Sequence, residues 1–452
     1  MKIIILVLLC TLPLSVLAQV RERDERFTQL MRRDSGGWTA GDGAISVPLP
    51  DGRRLWLFGD SYLVDVRKSD TTLPCLFQVR NAVMVQSGNE FRTLLDSSQT
   101  GVQRTFFRDY PWSDTTLYWP GDGFVKADTV YIFLGKIKND ASLTSLGNYV
   151  AKLHYPDLKL LSISALPNFA KINFGVSILY DSASGYYYSY GVRANWIVFE
   201  PYVARFTLDH LLNGWEFFNG TSWSSDPVQA NKISNFAMGA AFGVVKHHHF
   251  YYIFSQENGF LTPGGGRHLY AYRATTPTGP FVFEQLLYTI EDKWKGEYLV
   301  TYNAMPHPEI YNDSISIGYN VNGNDSTCRV SIWTERLNAD CYRPKFIAIP
   351  YAMIDTVALH TPNSADDNSF AVQLFPNPST RSLNIESRSF SHEPIRIRIN
   401  TISGNAILER VFVSTPPITV TTIDLESLSS GSYELVYTQD GVSKLMRFVI
   451  AK

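Results

Sequence analysis

Two aspartates of this chain occur in the same short phrase, because Asp42 and Asp122 each stand between two glycines. Glycine has no side chain, so the backbone on either side can come close to a bound molecule. Two carboxyl groups in one site can perform acid–base chemistry, since one donates a proton while the other accepts one. Hydrolysis of a glycosidic bond requires such a pair. The alternative interpretation is that each phrase is a bend capped by its aspartate.

Other ionisable residues could complete the pair. Glu200, Glu257 and Glu309 are carboxylates near predicted strands, although each could equally be a surface or hairpin residue. His307 could act as an acid or hydrogen-bond a hydroxyl group, and a buried structural histidine is the alternative. We therefore predict Asp42, Asp122, Glu200 and His307 as candidate catalytic residues and leave the acid unassigned.

Candidate substrate-binding residues are aromatic, amide or cationic. Trp38 and Trp119 could stack on sugar rings, although packing in the core would explain them equally well. Tyr302 and Asn303 belong to the most polar of the predicted inner segments, and Arg193 could bind an acidic sugar.

No metal or cofactor is expected from the sequence. His247, His248 and His249 are consecutive, and consecutive strand residues alternate faces, so the three cannot all bind one ion. The glycine run at residues 264–266 lacks the lysine and helix of a phosphate loop.

The elements that must position these residues are short strands. Five aromatic and β-branched runs are bounded by turn residues, which predicts strands at 54–60, 130–135, 186–191, 250–255 and 314–319. Each follows a segment rich in small residues, at 41–45, 121–125, 174–178, 238–242 and 303–310. Recurrence of one unit predicts an all-β, five-bladed β-propeller, and a pair of β-sandwiches is the alternative. Inner strands of a propeller converge on one axis, so Asp42 and Asp122 are expected to face a single funnel.

A family resemblance follows from three segments, Gly41–Gly43, Asp51–Arg53 and Trp56–Asp60. They resemble secreted families that carry domains of unknown function 4185 and 5005, which look like five-bladed propellers related to glycosidases. The resemblance covers Gly37–Pro350 and implies that Asp42 is the base or nucleophile. Those glycosidases also carry an aspartate on the third inner strand and a glutamate on the fourth. This chain has Asn173 and Asn235 near those positions.

The C-terminal segment has its own pattern. Residues 361–369 are small, polar and turn-forming, which predicts a linker. Strict alternation at Ile395–Ile399, a turn at Ser403–Asn405 and a last strand from Lys444 resemble the type A sorting domain of the type IX secretion system of Bacteroidetes. The resemblance implies an Ig-like sandwich and translocation across the outer membrane by that machinery. An ordinary adhesive domain is the alternative.

The start of the chain and its composition set the compartment. A short apolar run followed by Val16–Ala18 predicts a signal peptide cleaved before Gln19. Formal charge is only −2, with no basic stripe, which argues against a nucleic-acid partner. No later segment is apolar over a transmembrane length. Cys328 and Cys341 flank a predicted hairpin and could form a disulfide.

The predicted organisation is a signal peptide (residues 1–18), a propeller (19–360), a linker (361–371) and a sorting domain (372–452). We expect a secreted or outer-membrane-surface protein that acts on a polysaccharide as a glycoside hydrolase-like propeller. A non-catalytic propeller that binds glycans or other surface partners is the alternative. In the propeller Asp60 ends an outer-lying strand, so we expect it to hold a turn.

Overall fold

A computed structural model describes residues 22–450 and 452, except for residues 75, 96–103, 196–197, 235–237, 259–265, 282, 324–328, 332–335, 355–370, 377–378, 389–390, 402–404, 416–417 and 441. The predicted signal peptide, Cys328, Asn235 and residues 361–370 of the predicted linker therefore lie outside the described residues. Cys341 is described and is disulfide-bonded.

Five antiparallel sheets follow one another along the chain, and the first strand of each sheet is its innermost. We call these sheets blades 1 to 5. Blades 1 and 2 contain Ile45–Pro48, Arg54–Phe58, Ala82–Ser87 and Glu90–Leu94, then Thr116–Lys126, Thr129–Lys138, Ser145–His154 and Leu160–Ala165. Blade 3 contains Asn173–Asp181, Tyr186–Asn195, Val198–Phe206, Glu216–Phe218 and Trp223–Ser224. Blade 4 contains Met238–His247, Phe250–Glu257, His268–Ala274 and Phe283–Thr289. Blade 5 contains Val300–His307, Ser314–Asn322, Lys345–Pro350 and Glu22–Arg23.

The innermost strands form a closed ring. Each contacts the innermost strand of the next blade, and that of blade 5 contacts that of blade 1. The fold is therefore a five-bladed β-propeller, as the sequence predicted. The five aromatic runs are the second strands of the blades, and the small-residue segments before them contain or adjoin the innermost strands. Small residues suit these positions because the strands crowd around the axis.

Both ends of the propeller chain meet in blade 5. Glu22 pairs with Ala348, so the N-terminal strand is the outermost strand of the last blade. The helix Glu25–Leu30 follows directly, and Asp24 caps it by accepting a hydrogen bond from the backbone N–H of Phe27 at 2.9 Å. This pairing ties the start of the propeller to its end.

Packing between blades is apolar and aromatic. Blades 1 and 2 bury Val47, Leu57, Ile132 and Leu134 against one another. Full burial of such a side chain contributes about 1.5–3 kcal/mol. The seams between blades are thus the hydrophobic core of the propeller.

Shorter elements connect the blades. Paired strands occur at Ala40–Gly41 with Ser61–Tyr62, at Lys293–Trp294 with Glu297–Tyr298, and at Arg336–Asn338 with both Thr72–Pro74 and Arg329–Ser331. The remaining helices are Tyr351–Ile354 and the 3₁₀ turns Leu208–His210, Pro227–Gln229 and Ala339–Tyr342. No helix within the described residues is both long and apolar enough to cross a bilayer.

The C-terminal segment is a sandwich of two antiparallel sheets. One contains Ala371–Phe375, Ser382–Arg388 and Ile418–Asp424, and the other contains Ala406–Phe412, Ile395–Thr401, Gly431–Gln439 and Val442–Ile450. Ile395, Ile397 and Ile399 are buried while Arg396 and Arg398 are exposed, as the alternation predicted. Leu383 and Ile385 of the opposite sheet complete this core.

Candidate active site at one end of the propeller axis

The innermost strands of the five blades line two cavities in succession. The beginnings of these strands and the residues before them line a cavity of about 380 Å³, which we call the first cavity. Their later parts line a cavity of about 570 Å³, the second cavity. The two cavities lie at opposite ends of the propeller axis.

Asp42 lies in the wall of the first cavity, just before the innermost strand of blade 1. Its Oδ2 atom accepts a hydrogen bond from the hydroxyl of Tyr302 at 3.0 Å and another from that of Tyr342 at 3.2 Å. Burial raises the pKa of Asp42 above its ordinary value, and the two phenol donors offset part of that rise. Asp42 is thus a carboxyl group that two phenols hold at the wall of the first cavity.

Asp60 adjoins Asp42. The backbone N–H of Asp42 bonds to the carbonyl of Asp60 at 3.3 Å, and that of Gly59 bonds to the carbonyl of Asp42 at 2.8 Å. A side chain at Gly59 would come within 2.5 Å of Asp42 Oδ1, so this glycine permits the close approach. The sequence interpretation of Asp60 as a turn residue therefore missed its nearness to Asp42.

The charges around Asp60 make it an unusual aspartate. Burial and the negative charge of Asp42 raise its pKa to about 7, against the opposing effects of Arg80 and Trp119. Arg80 lies 3.2 Å from one carboxyl oxygen, and the indole N–H of Trp119 donates to the other at 3.4 Å. A negative charge on Asp42 therefore disfavours a second negative charge on Asp60.

Four further polar or aromatic residues complete this cavity. Trp119, Tyr302 and Asn303, which the sequence analysis proposes as substrate-binding residues, line it, and Asn173 lines it from blade 3. Asn303 has a φ of 53°, in the left-handed region that residues other than glycine seldom adopt. Strained residues of this kind cluster at functional sites.

Asp122 lies elsewhere, in the wall of the second cavity. The expectation that Asp42 and Asp122 face one funnel is therefore wrong. Asp42 precedes a short innermost strand, whereas Asp122 is well inside the 11-residue strand Thr116–Lys126 and so lies farther along the axis.

The hydrogen bonds of Asp122 also differ. Its Oδ1 accepts from the backbone N–H of Gly123 at 2.7 Å, and its Oδ2 accepts from that of Ile178 in blade 3 at 2.7 Å. Burial raises its pKa to about 7, and the charge of Glu309 adds to that rise. Asp122 therefore ties blade 2 to blade 3, a structural role that leaves both of its oxygens occupied.

His307 is fully buried, at 0 % exposure, between blade 5 and blade 1. Its Nδ1 lies 2.6 Å from the hydroxyl of Ser46, which donates to Glu309 at 2.5 Å. Burial lowers its pKa to about 3, so the ring is neutral near pH 7. A dissolved substrate cannot reach this histidine, and the structural alternative raised from the sequence fits its position.

Three further predicted site residues, Glu200, Arg193 and Trp38, do not line the first cavity. Glu200 and Arg193 form an ion pair at 3.8 Å on the outer strands of blade 3, and neither lines either cavity. Trp38 is fully buried, packs on Phe58 with ring centroids 4.4 Å apart and the rings tilted by 32°, and donates to Ser61. Trp38 is therefore a core residue, which is the alternative that the sequence left open.

Glu257 is also structural. It is buried, and its Oε1 accepts hydrogen bonds from three backbone N–H groups, those of Gly266, Arg267 and His268, at 3.0–3.1 Å. These hydrogen bonds hold the start of the third strand of blade 4 in place. Among the described residues no three or more histidine, cysteine, aspartate or glutamate side chains are grouped to hold a metal ion.

The sequence analysis missed Tyr342 and Arg80. Tyr342 is the last residue of the 3₁₀ turn Ala339–Tyr342, 300 residues away from Asp42, and nothing local to it indicates a site. Asp60 carried a usable signal, since it ends the phrase Trp56–Asp60 that supports the family resemblance.

Together the ring of blades and the Asp42 cavity define a five-bladed propeller whose axial cavity holds carboxyl and aromatic groups. The chain belongs to the family of the Domain of unknown function (DUF5005), whose profile matches residues 24–355. The profile of the Secretion system C-terminal sorting domain matches residues 373–451. The protein is therefore delivered by type IX secretion to the cell surface or beyond it.

Solved structures share the fold. A presumed hydrolase from Bacteroides ovatus superposes with a TM-score of 0.62 at 24 % identity, over 75 % of this chain and 92 % of that chain. An exo-β-1,3-galactanase from Phanerochaete chrysosporium with galactose has a TM-score of 0.40 at 10 % identity, over 91 % and 96 %. A GH43_1 enzyme from Xanthomonas citri complexed with xylotriose has 0.40 at 14 %, over 72 % and 92 %. The last two likenesses are distant. No match was found among the curated proteins.

Proposed function

We propose that this secreted propeller acts on a polysaccharide as a glycoside hydrolase, that a sugar binds in the first cavity, and that Asp42 serves there as general base or nucleophile. The observation that carries the proposal is the adjacent pair of Asp42 and Asp60 beside a cavity lined by the indole of Trp119 and the phenol of Tyr302. Ligand pockets combine apolar walls with a few convergent polar groups in this way.

The proposed chemistry follows from the surroundings of Asp60 and of Asp42. Asp60 holds a proton up to about pH 7, so below that pH Asp42 has no second negative charge beside it. Tyr302 and Tyr342 donate to Asp42, and donation to a carboxylate favours its ionised form. An ionised Asp42 can take a proton from water or attack the sugar itself. Trp119 offers an aromatic surface to the apolar side of a sugar ring.

Hydrolysis also needs an acid for the leaving group. Among the described residues that line the first cavity, Asp42 is the one carboxylate. The proposal therefore assigns no acid.

A non-catalytic glycan-binding protein is the second candidate, and a specific observation favours it. Blade 3 contributes Asn173 to the first cavity, and blade 4 contributes Ala240 and Ala241. The glycosidases that the sequence resembles carry carboxyl groups near these positions. A cavity with aromatic and amide groups but one carboxylate suits binding without cleavage.

Incubation of the full chain with xylan, arabinan, β-1,3-galactan and levan, followed by chromatography of released sugars, separates the two candidates. We expect release from at least one polymer by the wild type and none by Asp42→Asn. Retention of a polymer in affinity gels by both proteins, without release by either, would establish the binding candidate instead. Absence of both release and retention would refute the proposal.

A further inference from the structure

The loop that leads into the innermost strand of blade 2, at the end of the axis where the first cavity lies, carries an exposed aromatic side chain. Tyr110 is 93 % exposed, and Leu76 on the neighbouring loop is 76 % exposed. A tyrosine left almost wholly in water gains nothing from burial, yet its ring can cover the apolar face of a sugar. From its position we infer that Tyr110 is an outer subsite that stacks on a polysaccharide chain extending from the first cavity. This inference rests on the proposed function and adds that the substrate is a polymer.

The position of Tyr110 is fixed by the residue before it. Asp109 accepts hydrogen bonds from Thr116, from the hydroxyl of Tyr118 at 2.9 Å and from Lys136 Nζ at 2.7 Å. Thr116 and Tyr118 belong to the innermost strand of blade 2, and the next residue of that strand, Trp119, lines the first cavity. Tyr110 therefore follows a residue that is bonded to the innermost strand of blade 2.

The loop that carries Tyr110 is also joined to blade 1. Asn81 is fully buried, and it accepts from the backbone N–H of Phe107 at 2.8 Å. Its amide donates to the carbonyls of Phe107 at 2.9 Å and Tyr118 at 2.8 Å. Arg80 donates its backbone N–H to Thr105 at 3.3 Å. A surface that is already ordered loses little conformational entropy when a ligand binds.

The size of the first cavity and the ion pairs near Tyr110 bear on the kind of ligand. At about 380 Å³ the first cavity is near the lower end of the roughly 300–1,000 Å³ of ligand pockets, so a polymer must continue outside it. Two cations near this loop, Lys136 and Arg80, are paired with Asp109 and Asp60. Tyr110 itself offers a polysaccharide chain an aromatic surface for stacking.

Binding measurements on the full chain test the inference. All proteins carry Asp42→Asn so that the polymers stay intact. Retention in gels containing xylan, arabinan or β-1,3-galactan is compared with calorimetric affinity for xylobiose, arabinobiose and galactobiose. Tyr110→Ala should weaken retention by a polymer about three- to tenfold, the effect of one lost aromatic contact, while affinity for the matching disaccharide changes less than twofold.

Tyr180→Ala is the matched control. Tyr180 is 47 % exposed and lies near the end of the innermost strand of blade 3, toward the second cavity. It should bind polymer and disaccharide as the Asp42→Asn parent does. Equal retention of Tyr110→Ala and that parent, or equal losses with polymer and disaccharide, would overturn the subsite while leaving the proposed function intact. Failure of the Asp42→Asn parent to bind any of the sugars, together with failure of the wild type to release sugar from any polymer, would overturn both.

Discussion

At the first cavity the aspartate between two glycines is Asp42, and its partners are the side chains of Tyr302 and Tyr342. At the second cavity it is Asp122, and its partners are two backbone N–H groups from adjacent blades. The two phrases read alike in the sequence but stand at different distances along their innermost strands. The side chains of two tyrosines therefore hold Asp42 beside an open cavity. Both carboxyl oxygens of Asp122, in contrast, accept hydrogen bonds from the backbone.

This difference matters because donors are not interchangeable. A backbone N–H is fixed by the sheet and cannot follow a change in charge, whereas a phenol O–H can rotate toward a ligand or a water molecule. A carboxylate bridging two blades stabilises the structure, and one bonded to phenols can exchange its partners during a reaction. The comparison thus predicts that an aspartate-to-asparagine substitution has different effects at Asp42 and at Asp122.

The largest effect is expected for Asp42→Asn. The amide keeps the size of the side chain but removes the oxygen that accepts a proton or attacks the sugar, so turnover of a cleaved polymer should fall about 10²- to 10⁴-fold. Released sugar is the measurement, with urea unfolding as the control for folding. Turnover that survives this change would move the chemistry away from the first cavity.

Asp122→Asn should act on stability instead. The amide can accept from only one of the two backbone N–H groups, because its NH₂ group is a donor. Leaving one buried donor unpaired costs about 1–3 kcal/mol of the free energy of unfolding. Urea unfolding at pH 8 checks this, with turnover expected to stay within twofold. A stable variant with lost turnover would contradict the structural role of Asp122.

Asp60→Asn tests the environment of Asp42 through the pH dependence of kcat/KM. Asp60 becomes charged only near pH 7, where it adds a second negative charge beside Asp42, whereas an amide at this position stays neutral at every pH. Asp60→Asn should therefore lose any inflection of kcat/KM that ionisation of Asp60 causes near pH 7, while the acid limb set by Asp42 stays in place.

The control for Asp60→Asn is Asp51→Asn, which removes an aspartate paired with Arg53 on an exposed hairpin. It should leave both the acid limb and the inflection near pH 7 unchanged. An inflection near pH 7 that persists in Asp60→Asn would show that Asp60 is not its cause.

Much of this architecture could be predicted from the sequence because strand signals are local. The five aromatic runs and the small-residue segments before them follow from alternation and turn residues, so blade number and order were accessible. The alternating isoleucines of Ile395–Ile399 revealed a half-buried strand for the same reason. Asp42, Trp119 and Tyr302 were found because they adjoin those signals.

The rest of the site depends on contacts that no local pattern encodes. Residues Tyr342 and Asp42 are brought together by closure of the ring. Trp38 and His307 have side chains suited to binding or catalysis, but tertiary packing buries both of them. The position of Asp122 was misjudged because a repeated phrase fixes residue types and not its register along the axis.

The smallest effect is expected for Ser46→Ala in the second cavity. The hydroxyl of Ser46 donates to Glu309, so His307 must donate to Ser46 from Nδ1. Alanine would remove both bonds, but Arg54 remains paired with Glu309 at 3.7 Å, which limits the loss to about 1 kcal/mol of unfolding free energy. Ser142→Ala, at an exposed turn where the hydroxyl bonds to Asp140, is the control and should change little. Urea unfolding and polymer binding are measured together. If Ser46→Ala weakened binding while stability stayed the same, the second cavity would hold a ligand, and the contrast between the two ends of the axis would fail.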